Sequence, residues 1–112
     1  MKKILNYING HYVPPLSNEW LDNYNPSNGE VYAQIANSTE EDISMAYEAA
    51  RDAFPSWSNT SIDERSAIML KIASLIDDNL DRFALAESMD NGKPLSLAAA
   101  IDIPRASSNF RF

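Results

Sequence analysis

The sequence predicts an α+β fold, with β-hairpins over residues 1–37 followed by three or four helices over residues 38–112. Three observations carry that prediction. Short apolar stretches alternate with turn signals in the first part, whereas from Thr39 onward apolar residues recur about every 3.6 residues. Asn9-Gly10 and Asn25-Pro26-Ser27-Asn28-Gly29 have the composition of tight hairpin turns. Ser61-Ile62-Asp63-Glu64 has the form of a helix capping box.

In the first hairpin, Leu5–Ile8 and His11–Val13 flank Asn9-Gly10, which supplies the positive φ angles of a two-residue turn. Pro14-Pro15 ends it, because neither residue can donate to a ladder. The second hairpin pairs Glu19–Tyr24 with Val31–Ala36; Pro26 presets its turn and Gly29 can adopt the left-handed conformation. Thr39 then precedes Glu40, Glu41 and Asp42, acids that favour the positive end of a helix. Ile43, Ala46, Ala50 and Ala53 or Phe54 recur on one face of it. Pro55 is expected to stop this helix.

The capping box opens a second helix that runs to about Asp78 and buries Met69, Ile72, Ala73 and Ile76. Asn79 to Met89 forms a third, joined to the second by a bend and terminated by Asn91-Gly92. Lys93-Pro94 opens the last, with Leu97, Ala98 and Ile101 on its buried face. Pro104 removes one of its hydrogen bonds and predicts a kink or restart near Ile103. Phe110-Arg111-Phe112 brings two aromatics and no capping residue, so this helix is expected to belong to something longer.

A chain of 112 residues supports one domain at most, burying roughly two-thirds of its unfolded surface. Its 45% hydrophobic and 22% charged residues are those of a globular protein rather than a disordered one. The net charge of −7, from 16 acids against 9 bases, makes nucleic acid a poor partner, because a duplex demands a basic patch. Cysteine is absent, which excludes a disulfide framework, a thiolate metal site and a thiol nucleophile from these residues. Neither a signal peptide nor a membrane span is expected, and the cytoplasm is the default compartment.

Few residues offer chemistry. His11, the one histidine, falls at the first hairpin turn and reads as an exposed polar residue. Glu40, Glu41 and Asp42 are accounted for by the helix dipole, and Asp77, Asp78 and Asp81 read as solvated helix-end charges. Trp20, Trp57 and the hairpin tyrosines read as packing residues. The isolated glycines make neither a dinucleotide fingerprint nor a phosphate loop. Arg105 and Arg111 differ, because they stand on an otherwise apolar last helix. Each is either a helix-end salt bridge or a planar fork for a carboxylate ligand, and the residues alone do not choose.

Several motifs stand in a recognisable order. They are Tyr7-Ile8-Asn9-Gly10, Asn25-Pro26-Ser27-Asn28-Gly29-Glu30-Val31, the run Ala49 to Trp57, Glu64-Arg65, and Asp90-Asn91-Gly92-Lys93-Pro94. In this order and spacing they resemble the N-terminal region of the aldehyde dehydrogenase superfamily over nearly the whole chain. Asp102-Ile103-Pro104-Arg105 with Asn109-Phe110-Arg111-Phe112 is similar to the corresponding stretch of 2-hydroxymuconic and 2-aminomuconic semialdehyde dehydrogenases.

The resemblance implies a full-length parent that oxidises an aldehyde to the acid with NAD or NADP, using a cysteine nucleophile and a glutamate base. Those catalytic parts lie downstream of the residues present, so no catalytic and no cofactor-binding residue is assigned, and these residues alone are expected to be inactive. It further implies that Arg105 holds a substrate carboxylate, and that Asn23, Tyr24 and Asp90 lie near a monovalent cation bound mostly through backbone oxygens. The implied partner is a small-molecule aldehyde; another aldehyde, such as betaine aldehyde or succinic semialdehyde, would leave Arg105 structural. An alternative from a different class is a truncated, non-catalytic binding or self-association module using uncovered apolar helix faces.

Overall fold

The structure, a computed structural model, describes residues 1–112. Their contacts define two compact units, Met1–Tyr24 with Glu30–Asn59, and Asn25–Gly29 with Thr60–Phe112. The division falls at Asn59 rather than at the change from strand to helix near residue 38, because the first helix belongs with the strands.

The first unit contains β1 (Lys2–Ile4), β2 (Asn6–Ile8), β3 (His11–Val13), β4 (Trp20–Asn25), β5 (Glu30–Ala36) and α1 (Glu40–Ser58). Both expected turns form. Asn9 and Gly10 adopt φ of 51° and 80°, the mirror-image turn that matches strand twist, and join the antiparallel β2 and β3. Across that hairpin Tyr7 and Tyr12 meet edge to face at 5.1 Å. β4 and β5 are neighbours in a second sheet, and β1 joins the other edge of β5 in parallel, with Lys3 opposite Gln34. The sequence pattern does not reveal that pairing, since its partners lie some thirty residues apart. The Lys3 ammonium sits 4.2 Å from the centre of the Trp20 ring, a cation–π contact on this sheet.

One expectation for α1 fails. The helix passes through Pro55 to Ser58. Proline fits helical φ, and only the carbonyl of exposed Arg51 loses a partner; water can serve it. The last turn is held by side chains instead, with the Ser58 hydroxyl and the Asn59 amide donating to the Pro55 carbonyl at 3.0 and 2.9 Å. The apolar face of the helix is exposed: Ile43 is 65% accessible and Phe54 64%. The one buried residue of the helix is Asp42. Its carboxylate accepts the backbone N–H of Thr39 at 2.8 Å and that of Leu16 at 3.1 Å, pinning the loop after β3 to the helix start.

The second unit contains α2 (Ile62–Asp78), α3 (Leu80–Asn91), α4 (Leu95–Leu97), a π-helical turn (Ala98–Asp102) and α5 (Ile103–Arg111), with the loop Asn25–Gly29. The capping box is present: Ser61 Oγ accepts from the Glu64 N–H at 3.2 Å, and the Glu64 carboxylate accepts from the Ser61 N–H at 3.2 Å. Asn79 forms the bend between α2 and α3, and Gly92 ends α3 at φ 77°, its N–H donating to the Ser88 carbonyl. The expected restart occurs at Ile103, where α5 begins directly after the π-helical turn and Pro104 falls in its first turn. The helix widens just before Pro104, the Ile103 N–H bonding the Ala98 carbonyl five residues back.

That wider turn shifts the register, and of Leu97, Ala98 and Ile101 only Ala98 is buried. On α2, Ala73 is buried and Ile72 and Ile76 half-buried, whereas Met69 is exposed. The core of this unit is therefore built of small residues, Ala73, Ala84, Ala98 and Ser107. No helix of the chain is long and apolar enough to cross a membrane.

Candidate functional site

The residues that combine charge with a defined setting gather on α5, and α2 determines how they are held. Ser107 is 1% accessible, and its hydroxyl donates to the Ala73 carbonyl at 3.3 Å. One turn further along α5, Arg111 donates to Ser107 Oγ and to the carboxylate of Asp77, one turn further along α2. The hydrogen bond from Arg111 holds the Asp77 carboxyl below the usual aspartate range, with Ser107 and the charge of Arg111 adding to the effect. Asp77 is thus not a merely solvated helix-end acid.

Before the π-helical turn, the Lys93 ammonium lies 2.8 Å from both oxygens of half-buried Asp102. That pair ties the loop after Gly92 to the end of the π-helical turn, just ahead of Pro104. Arg105 follows immediately, and it is exposed and makes neither a hydrogen bond nor an ion pair. The two arginines therefore separate. Arg111 is the helix-end salt bridge, and Arg105 presents an uncommitted guanidinium, a planar fork suited to a carboxylate.

His11 is exposed, as expected. Trp20 is half-buried beneath Lys3, but Trp57 is 41% accessible and is not a core residue. Asn23 and Tyr24 lie on β4, where the Asn23 amide donates to the Tyr32 hydroxyl at 2.9 Å; Asp90 lies in the last turn of α3. No group of three or more His, Cys, Asp or Glu side chains is placed to hold a metal ion. β4 is an edge strand of its sheet. Gly10 joins two strands, Gly29 joins two strands and Gly92 joins two helices, so none occupies the strand-to-helix turn in which a dinucleotide phosphate would sit.

The sequence reading missed the roles of Asp42, Asp77 and Ser107. Only one faint signal pointed to the second pair: Ala73/Asp77 and Ser107/Arg111 share a four-residue step, which puts each pair on one helix face.

The fold is that of a known enzyme class. The family model described as "Aldehyde dehydrogenase family" matches residues 12–112, and the chain belongs to that family. Human 2-aminomuconic semialdehyde dehydrogenase is 49% identical over 107 residues, which cover 96% of this chain and 22% of that enzyme. Among solved structures, PnpE in complex with nicotinamide adenine dinucleotide superimposes with a TM-score of 0.95 at 32% identity, over 99% of this chain and 23% of that one. The NAD+ complex of the Bacillus cereus aldehyde dehydrogenase does so with a TM-score of 0.95 at 36% identity, over 98% and 23%. The chain thus spans about a fifth of the length of the curated relatives it matches.

Proposed function

We propose that this chain serves as the N-terminal region of an NAD-dependent aldehyde dehydrogenase that oxidises a carboxylated semialdehyde of the muconic type, and that Arg105 binds the substrate carboxylate. The carrying observation is the contrast on α5: Arg111 is engaged by Asp77 and Ser107, while Arg105 is exposed with no partner. The name of the human relative, a 2-aminomuconic semialdehyde dehydrogenase, supports the substrate class, and the NAD-bound relatives support the cofactor. The nucleophile, base and cofactor turn would come from the rest of the enzyme, and these residues alone are silent. Asn23, Tyr24 and Asp90 are proposed to contribute backbone oxygens to a monovalent cation in the assembled enzyme.

The test is an assembled enzyme in which this chain replaces the matching N-terminal region of the human relative. A charged hydrogen-bonded contact is worth about 1.5–3 kcal/mol. Arg105→Ala is therefore expected to raise KM for 2-hydroxymuconic semialdehyde roughly tenfold or more while leaving KM for an uncharged aldehyde in place. An unchanged KM for the carboxylated substrate would make Arg105 structural.

A second reading draws on the exposed apolar face of α1, where Ile43, Tyr47 and Phe54 are each more than half accessible. Such a face favours association, so the chain by itself would act as a self-association module. Sedimentation across a range of concentrations decides it: a strictly monomeric chain eliminates this reading.

A further inference from the structure

We infer that Asp77, Ser107 and Arg111 are positioning residues for Arg105, fixing the rotation of α5 against α2 and hence the direction from which the Arg105 guanidinium meets a substrate carboxylate. The inference rests on the role of Arg105 given above.

The fully buried apolar contacts of this unit are poorly suited to fix that rotation, and Ile72 and Ile76 of α2 are only half-buried. The unit's buried apolar side chains are alanines, Ala73, Ala84 and Ala98, and small residues provide few knobs to stop one helix turning or sliding on another. Two polar rungs supply what they lack. Ser107 reaches the Ala73 carbonyl, and Arg111 reaches Asp77. On each helix the second anchor lies four residues beyond the first, about 6 Å along the axis. The rungs are cross-linked, because Arg111 also donates to Ser107. A single rung would act as a pivot, whereas two fix both register and rotation.

Helical geometry then sets where Arg105 points. At about 100° per residue, Arg105 stands roughly 160° around α5 from Ser107 and roughly 120° from Arg111. The side that the rungs hold against α2 is therefore opposite the side that displays Arg105. A group about 6 Å from the helix axis moves about 2 Å for a rotation of roughly 20°. Misplacement by 1 Å is enough to cost up to about a hundredfold in a positioned reaction.

The assembled enzyme described above tests this, with KM and kcat measured for the carboxylated semialdehyde and for an uncharged aldehyde. Arg111→Met is expected to raise KM for the carboxylated substrate about tenfold and to change the uncharged one less than twofold. Asp77→Asn, which keeps shape and an acceptor oxygen, should give a smaller rise in the same direction. The exchange Asp77→Arg with Arg111→Asp should recover most of the loss, since it restores the rung with its partners reversed. Equal effects of Arg111→Met on both substrates, or none on either, would overturn the inference. If Arg105→Ala raises KM and Arg111→Met does not, the positioning role alone fails; if Arg105→Ala is also without effect, the reading of Arg105 falls with it.

Discussion

Replacing Gly92 by alanine should cost the chain about 2 kcal/mol, twice the cost of the same replacement at Gly29. Both glycines adopt left-handed φ, 77° and 73°. An L-residue there pays about 1–2 kcal/mol, offset by about 0.4–1 kcal/mol because alanine stiffens the unfolded chain. Strain alone therefore leaves a net cost of about 1 kcal/mol. At Gly29 nothing lies within 4 Å of an added Cβ, so strain is the whole effect. At Gly92 the added Cβ would meet Pro26 Cβ at 3.1 Å and Cγ at 3.5 Å. The nearer contact is tight enough to add about 1 kcal/mol, the low end for overpacking.

With a urea slope of about 2 kcal/mol/M, the midpoints should fall by about 1 M for Gly92→Ala and about 0.5 M for Gly29→Ala. Pro26→Gly, which removes the ring, should bring the effect of Gly92→Ala down to that of Gly29→Ala. Equal shifts at the two glycines would refute the Pro26 contact, and a neutral Gly92→Ala would refute the left-handed turn.

Three further outcomes follow from the polar anchors and the site. Ser61→Ala removes the hydroxyl that caps α2 and should cost about 1 kcal/mol, read as a urea midpoint, while Ser61→Asp should cost far less. Asp42 is held below its ordinary value of 3.8 by the Thr39 N–H, against the opposing effect of burial and with help from Leu16 and the Thr39 hydroxyl. Its folded pKa is depressed, so its contribution is fully present above about pH 4 and is lost as pH falls through the lower folded value. Asp42→Asn should accordingly be less stable than the native chain at pH 7 and should lose less on acidification. In the assembled enzyme, Arg105→Ala and Arg111→Met should each weaken only the carboxylated substrate, as set out above.

What could be read from the sequence was local. The Asn9-Gly10 turn, the Ser61–Glu64 capping box and the Gly92 helix stop each depend on residues within four positions of one another, and each formed where its composition placed it. Features that depend on distant partners were not legible. β1 pairs with a strand some thirty residues away, and Asp77 meets Arg111 across 34 positions, so no periodicity in either segment reports them. The helix faces failed for another reason. Periodicity marks which side of a helix is apolar, but the face of α1 that carries Ile43 and Phe54 finds nothing to cover it within these residues. Pro55 misled because a proline removes one donor without stopping a helix whose neighbouring groups find other partners, whereas Pro104 marked the restart at Ile103. For the site, the sequence left salt bridge and open fork equally available to Arg105 and Arg111, and the pairing of Arg111 with Asp77, across 34 positions, could not be read from either segment.

The central claim, that this chain supplies the substrate-orienting N-terminal part of an aldehyde dehydrogenase, is met most directly by comparing two samples. The 112-residue chain alone and the assembled enzyme carrying it are each given NAD and 2-hydroxymuconic semialdehyde, and NADH is followed by absorbance. The account predicts no turnover by the chain and steady turnover by the assembled enzyme. Turnover by the chain alone, or a folded assembled enzyme that oxidises uncharged aldehydes but not the semialdehyde, would contradict it.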